Sequence, residues 1–230
     1  MVKNYMKQNI LNIENISFAY NKDNVLNNIN LTIENNSVFG IIGQNGSGKT
    51  TLLKILLSIL KHQQGQIKFY DKYKIGVVLE FLGMFPNLTA ERNLKISATI
   101  KQVSFDEIDM VLKKTGLLEH KNKKTKTFSL GMKQRLSIAA CLLGNPDIVI
   151  LDEPTNGLDP LAIIELRNII NQIAAEGKTI IIASHILSEL EKICTHIAVI
   201  NKGKITLSGE LPELMKNYKN IEELFIKNLV

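Results

Sequence analysis

The chain has 230 residues, 45% hydrophobic and 22% charged, with a formal net charge of +6. That length and balance exclude a disordered chain and admit one large α/β domain or two small ones. The charge admits a phosphate ligand, an anionic membrane surface or nucleic acid, without choosing among them.

In chain order, Ile10 to Tyr20 and Asn28 to Ile33 alternate with period two and read as strands, separated by the polar turn Asn21 to Asn24. Val38 to Ile42 is a buried strand, broken by the segment Gly43 to Gly48. A helix is expected from Lys49 through Leu52, Leu53, Ile55, Leu56 and Ile59, then strands at Gln66 to Phe69 and Lys74 to Leu79. From Gly83 to Gly144 the pattern turns helical, with helices expected over Ala90 to Gln102, Asp106 to Thr115 and Leu130 to Leu143. Strand Ile148 to Leu151, helix Leu161 to Glu176 and strand Thr179 to Ser184 then alternate in βαβ fashion. A helix at Leu187 to Ile193, a hairpin near Asn201 to Lys204 and two short helices from Pro212 complete the chain. Cys141 and Cys194 sit in apolar periodic segments without metal-ligand spacing, and read as reduced, buried and inert.

The apolar run Ile148 to Leu151 meets Asp152 and Glu153 at once, and Thr179 to Ala183 meets Ser184 and His185. Neither approaches the roughly 20 apolar residues that span a bilayer. The N-terminus lacks an apolar signal core. A soluble, cytoplasmic protein is expected, reaching a membrane only through partners.

Gly43-Gln44-Asn45-Gly46-Ser47-Gly48-Lys49-Thr50 fits the phosphate-loop pattern, Gly, four residues, Gly-Lys-Ser/Thr, and lies between a buried strand and a helix. Glycines let backbone N–H groups converge on phosphate oxygens, and the helix N-terminus adds positive potential. Lys49 is expected to reach the β- and γ-phosphates and the Thr50 hydroxyl to bind Mg2+, with Thr51 completing the nucleotide contacts. Asp152 and Glu153 leave the C-terminal end of a buried strand, where ligands of open α/β sheets bind. Asp152 suits the Mg2+ shell and Glu153 the general base that polarises the attacking water. Hydrolysis of a nucleoside triphosphate is the expected reaction.

Ser129-Leu130-Gly131-Met132-Lys133-Gln134-Arg135 is by itself a helix start with Ser129 as N-cap. Placed just before the helix leading to Asp152-Glu153, it resembles the signature motif of ABC ATPases, with Met132 where Gln is usual. The resemblance covers essentially Ile10 to Leu229. It implies an α/β phosphate-loop NTPase (RecA-like) core with an N-terminal antiparallel β layer and a helical insertion. The implied boundaries are a single domain over 1–230, its core at about 1–82 and 146–230 and its helical subdomain at about 83–145.

The resemblance further implies that Ser129 and Gly131 contact the γ-phosphate bound by a second protomer. Asn156-Gly157-Leu158-Asp159 looks like the D-loop, which communicates across that dimer. His185 looks like the switch histidine that contacts the γ-phosphate and orients Glu153, and Tyr20 like the aromatic that stacks on adenine. Glu80 stands where a Gln is usual and offers magnesium a carboxylate in place of a neutral carbonyl oxygen.

Glu80, Phe85-Pro86-Asn87-Leu88-Thr89, the stretch Phe128 to Leu136 and Glu222-Glu223-Leu224-Phe225 together look like the bacitracin-resistance and lantibiotic-immunity subgroup. That subgroup implies ATP and Mg2+ as ligands, a homodimer in the ATP-bound state and separate integral membrane permease subunits. It also implies a place on the inner face of the cell membrane, held there by the permeases, with no direct nucleic acid. The apolar residues Phe81, Leu82, Met84 and Phe85 suit either core filling or a socket for a membrane-subunit helix. Lys121, Lys123, Lys124 and Lys126 suit a solvated loop or lipid headgroups. The rival class is a soluble ABC ATPase acting on nucleic acid, but the chain has one cassette and no metal cysteines. A regulatory GTPase fails on Asn201-Lys202-Gly203-Lys204, which has Lys204 where guanine reading needs Asp.

Overall fold

Alternating apolar residues pair the N-terminal segments into an antiparallel layer. The computed structural model describes residues 8–79 and 83–229. Strand β1 (Asn9–Tyr20) pairs antiparallel with β2 (Asp23–Glu34) on one side and β4 (Gln64–Phe69) on the other, giving the order β2-β1-β4. Ile10, Ile13, Ile16, Leu26, Ile29 and Ile33 are buried on this layer. The second strand begins five residues earlier than the alternation alone suggests. A two-residue turn at Asn21 and Lys22 closes the hairpin directly, so pairing to β1 recruits the Asn-rich segment from Asp23.

Two compact units divide the chain, residues 1–72 with 179–230 and residues 73–178. In the first, β3 (Val38–Ile42) lies parallel between β7 (Thr179–Ser184) and β8 (His196–Asn201), and β9 (Lys204–Glu210) runs antiparallel along β8. Every residue of β3 and β7 is buried, as expected of parallel strands covered on both faces.

Helix α1 (Lys49–Leu56) stops three residues before the expected Ile59. Ser58 adopts φ 56°, its N–H donates to the Ile55 carbonyl, and the Ile59 N–H donates to that of Lys54. This left-handed cap ends the helix and leaves Ile59 59% exposed, outside the apolar stripe. Helix α6 (Leu187–Leu190) is likewise shorter than expected, continuing only as turns, and the short α7 (Leu211–Met215) and α8 (Ile221–Lys227) match the expected pair.

In the second unit β5 (Ile75–Val78) lies parallel to β6 (Ile148–Asp152). Around them run α2 (Ala90–Lys101), α3 (Glu107–Lys114), α4 (Leu130–Leu142) and α5 (Pro160–Ala175). Two single 3-10 turns, Leu118–His120 and Thr125–Thr127, were not expected from periodicity. Asn93 of α2 is buried and stitches the preceding loop. It accepts from the Phe85 N–H at 2.8 Å and donates to the Thr89 carbonyl at 2.9 Å. Met84 is half-buried and Phe85 exposed, whereas Phe81 and Leu82 lie outside the described residues. No helix among the described residues is long and apolar enough to cross a membrane.

Cys141 and Cys194 are free and buried, and burial pushes each thiol from 9.0 up to about 12. Two results follow. Native protein at neutral pH is expected to resist a thiol-specific reagent at both positions. Because the folded values are raised, the stability they contribute is complete below pH 9 and is lost as pH climbs toward 12. An alkaline melting series, compared with a Cys→Ala double variant, measures that loss.

Candidate active site

The first unit carries the phosphate loop as a strand-to-helix turn. Ile42 ends β3, and Gly48 precedes α1 at φ 110°, a left-handed conformation that suits glycine. A Cβ there would also sit 2.7 Å from Leu26 Cδ2, so the loop is seated against β2. The Gly203 N–H, in the β8–β9 hairpin, donates to the Ser47 carbonyl at 3.0 Å, while the Gly203 carbonyl accepts from Asn27 at 2.8 Å. Val25 to Asn27 and Gly203 therefore brace the loop from behind. Sequence reasoning missed this support, although the hairpin glycine was its one available signal.

Lys49 is only 5% exposed, and its Nζ donates to the Gly43 carbonyl at 2.8 Å and that of Gln44 at 3.2 Å. An ammonium folded over its own loop has oxygen partners that phosphate oxygens can replace. Ser47 Oγ is sealed from solvent and has no hydrogen-bond partner among the described residues. Gln44, Asn45 and Gly46 form the exposed rim, with Thr50 half-buried and Thr51 buried behind them. An orphaned hydroxyl, a buried ammonium and the free N–H groups of a helix start fit a polyphosphate.

Ile42 and Ser184 are partners in the parallel β3–β7 register, so Gly43 and His185 leave neighbouring strands at the same edge. The Ser184 hydroxyl accepts from the Ile186 N–H at 3.1 Å and shapes the turn that carries the exposed His185. Tyr20 closes β1 at the hairpin turn. Tyr20 is 44% exposed, and its ring lies 4.8 Å from that of Phe18 in a T-shaped pair with planes 89° apart.

In the second unit Asp152 ends β6 and is 2% exposed. Glu153 follows at φ 47°, a conformation uncommon for a residue with a Cβ. Its carbonyl accepts from Asn156 at 3.1 Å, which begins the turn toward Asp159. Asp159 N-caps α5, accepting from the Ala162 N–H at 2.9 Å. Ser129 N-caps α4 in the same manner, accepting from Met132 at 3.2 Å.

Gly131 sits where the start of α4 crosses α5, and a Cβ there would lie 2.7 Å from Ala162 Cβ. The unit thus gathers Ser129, Gly131 and Asp159 at two adjoining helix starts. Arg135, one turn further along α4, reaches Glu165 of α5 at 3.5 Å. Glu80 lies outside the described residues.

The ABC transporter family profile matches residues 26–156. The chain is 44% identical over 223 residues to the lantibiotic transport ATP-binding protein SrtF of Streptococcus pyogenes, covering 94% of this chain and 96% of that protein. It is 39% identical over 226 residues to the bacitracin transport ATP-binding protein BcrA of Bacillus licheniformis, covering 93% and 74% respectively. Among solved structures it resembles cbiO1 of Clostridium perfringens, part of the ABC transporter complex cbiONQ. There the TM-score is 0.83 and the identity 30%, over 96% of this chain and 94% of that one. The α/β phosphate-loop fold, the phosphate loop and these likenesses agree, and the chain belongs to the ABC transporter family as an ATP-binding, ATP-hydrolysing subunit.

Proposed function

We propose that this subunit powers export of a lantibiotic or another peptide antibiotic through separate integral membrane subunits, protecting the cell that carries it. The observation that carries this reading is the near full-length likeness to SrtF, joined by that to BcrA. The chain then acts as one ATPase domain, with a helical subdomain over about 83–145, on the cytoplasmic face of the membrane.

The site works as half of a sandwich. The loop Gly43 to Thr51 binds the triphosphate and Tyr20 stacks on adenine, while Ser129 and Gly131 of a second copy, with its Asp159 nearby, close on the γ-phosphate. Thr50, Asp152 and Glu80 offer only oxygen donors, the set that hard magnesium accepts. Magnesium, when bound, neutralises phosphate charge and so favours transfer. Glu153 takes the proton of the attacking water, His185 holds that water and Glu153 in line, and Lys49 stabilises the charge on the departing phosphate. The water oxygen bonds to the γ-phosphorus, the bond to the β–γ bridging oxygen breaks, and ADP and phosphate leave. Closing and reopening of the pair moves the membrane subunits.

A drug-sensitive Gram-positive host carrying the chain together with its membrane subunits tests the biology. The inhibitory concentration of a lantibiotic is expected to rise several-fold with the native chain, and not with Lys49→Ala. Unchanged susceptibility together with DNA- or RNA-stimulated ATPase activity would instead support an ATPase acting on nucleic acid.

A further inference from the structure

Two segments of the second unit, 85–92 and 121–127, are joined into one platform by their backbones. The Thr125 N–H donates to the Leu88 carbonyl at 3.0 Å, and the Lys126 N–H to that of Pro86 at 2.9 Å. The buried Thr125 hydroxyl donates to the Phe85 carbonyl at 3.0 Å, and Thr89 and Lys124 form an antiparallel bridge. The first two N–H groups of α2, those of Ala90 and Glu91, donate to the carbonyls of Lys123 at 3.1 Å and Lys121 at 3.0 Å. Asn93 adds its bond to the Phe85 N–H. Neither segment is a loose loop.

The side chains that this platform leaves exposed are of two kinds. Lys123, Lys124, Lys126 and Arg92 are exposed cations, and none makes an ion pair among the described residues. Two neighbouring carboxylates are already engaged, Glu91 by Lys95 at 2.9 Å and Asp109 by Lys121 at 3.0 Å, and Glu119 lies two residues before Lys121. Arg92 stands in the first turn of α2, where the helix dipole disfavours a cation. Phe85 is 54% exposed and is followed by the exposed Pro86. An excess of cations held beside an uncovered aromatic ring suits a surface that is anionic and apolar at once.

We infer that this platform rests directly on an anionic lipid surface, with Lys123, Lys124, Lys126 and Arg92 on headgroup phosphates and the Phe85 ring among the headgroups. Charge complementarity selects this partner. Four or more basic residues beside an apolar side chain form the pattern that anionic leaflets attract, each lysine strengthening binding by about fivefold. Single-stranded nucleic acid is held along grooves by successive stacking rings. Here Phe85 is the only Phe, Tyr or Trp of the two segments. A member of the ABC transporter family also works beside a membrane. The contact holds whichever molecule is exported, and adds to any grip supplied by membrane subunits.

Flotation of the full-length chain, its nucleotide loop filled with ADP and magnesium, tests the contact on phosphatidylcholine vesicles with and without phosphatidylglycerol. Binding is expected only with phosphatidylglycerol, and weaker as salt rises. Lys123→Gln/Lys124→Gln/Lys126→Gln is expected to weaken it by about 100-fold. Lys61→Gln/Lys72→Gln/Lys204→Gln removes the same charge from exposed positions of the first unit and is expected to change binding by less than about fivefold. The chain has no tryptophan, so Phe85→Trp supplies a single reporter, whose emission is expected to move to shorter wavelength on the anionic vesicles. Equal binding to both kinds of vesicle would overturn the inference. So would equal losses in the two triple variants, which would show that net charge alone draws the chain to lipid. Tryptophan emission unchanged at saturating vesicles would overturn it too. So would a poly-uridine strand that binds more tightly than the anionic vesicles and is lost in the Lys123, Lys124 and Lys126 variant, making this a nucleic-acid face.

Discussion

Replacing Glu153 with Gln is expected to lower ATP turnover by about 10²–10⁴-fold while ATP binding persists. That is the range typical of losing a positioned general base. Gln has nearly the same shape, so it can keep the left-handed backbone at φ 47° and the turn that hands the chain on to Asp159. What it cannot do is accept the proton of the attacking water. Steady-state ATPase rate and equilibrium nucleotide binding, measured on one preparation, separate the two effects. A variant that kept near-native turnover would remove Glu153 from the chemistry and leave its unusual backbone unexplained by catalysis.

The second large effect is expected at Gly131. Its missing side chain is what lets α4 begin against α5, since a Cβ would meet Ala162 Cβ at 2.7 Å. Gly131→Val therefore forces the Ser129-capped helix start away from α5, with a packing penalty of about 1–3 kcal/mol. Because the phosphate loop belongs to the other unit, ATP affinity of the single chain should stay close to native. Turnover should fall by about 100-fold, the usual consequence of moving a positioning element by roughly 1 Å. Gly131→Ala, with the smaller intrusion, should fall between the two. Equal losses of ATP affinity and turnover would show that Gly131 acts on the fold and not on a composite site.

Much of this site was legible because its chemistry is local. The loop Gly43 to Thr50, the Asp152-Glu153 pair and the capped helix at Ser129 each depend on neighbours within a few residues, so spacing alone places them on a strand end or a helix start. The helix ends were less legible. The apolar positions of α1 continue to Ile59, but the left-handed cap at Ser58 decides where the helix stops, and serine carries no strong signal for that geometry. The β2 start at Asp23 was hidden for a related reason, because Asn-rich residues enter a strand only when a partner strand offers them hydrogen bonds. Long-range support was least visible. Nothing near Gly48 in the chain indicates that Val25, Leu26 and Gly203 brace it. Such groupings arise from strand order, which local periodicity does not encode.

The central claim is that one chain holds only half of each working site and needs a second copy to complete it. The most direct measurement is the solution mass of Glu153→Gln with and without saturating ATP and magnesium, by light scattering. The expected result is a shift from the 25.8 kDa chain mass to twice that value on adding ATP, abolished by Lys49→Ala. A chain that is shown to bind ATP and still scatters as a 25.8 kDa species would contradict the account.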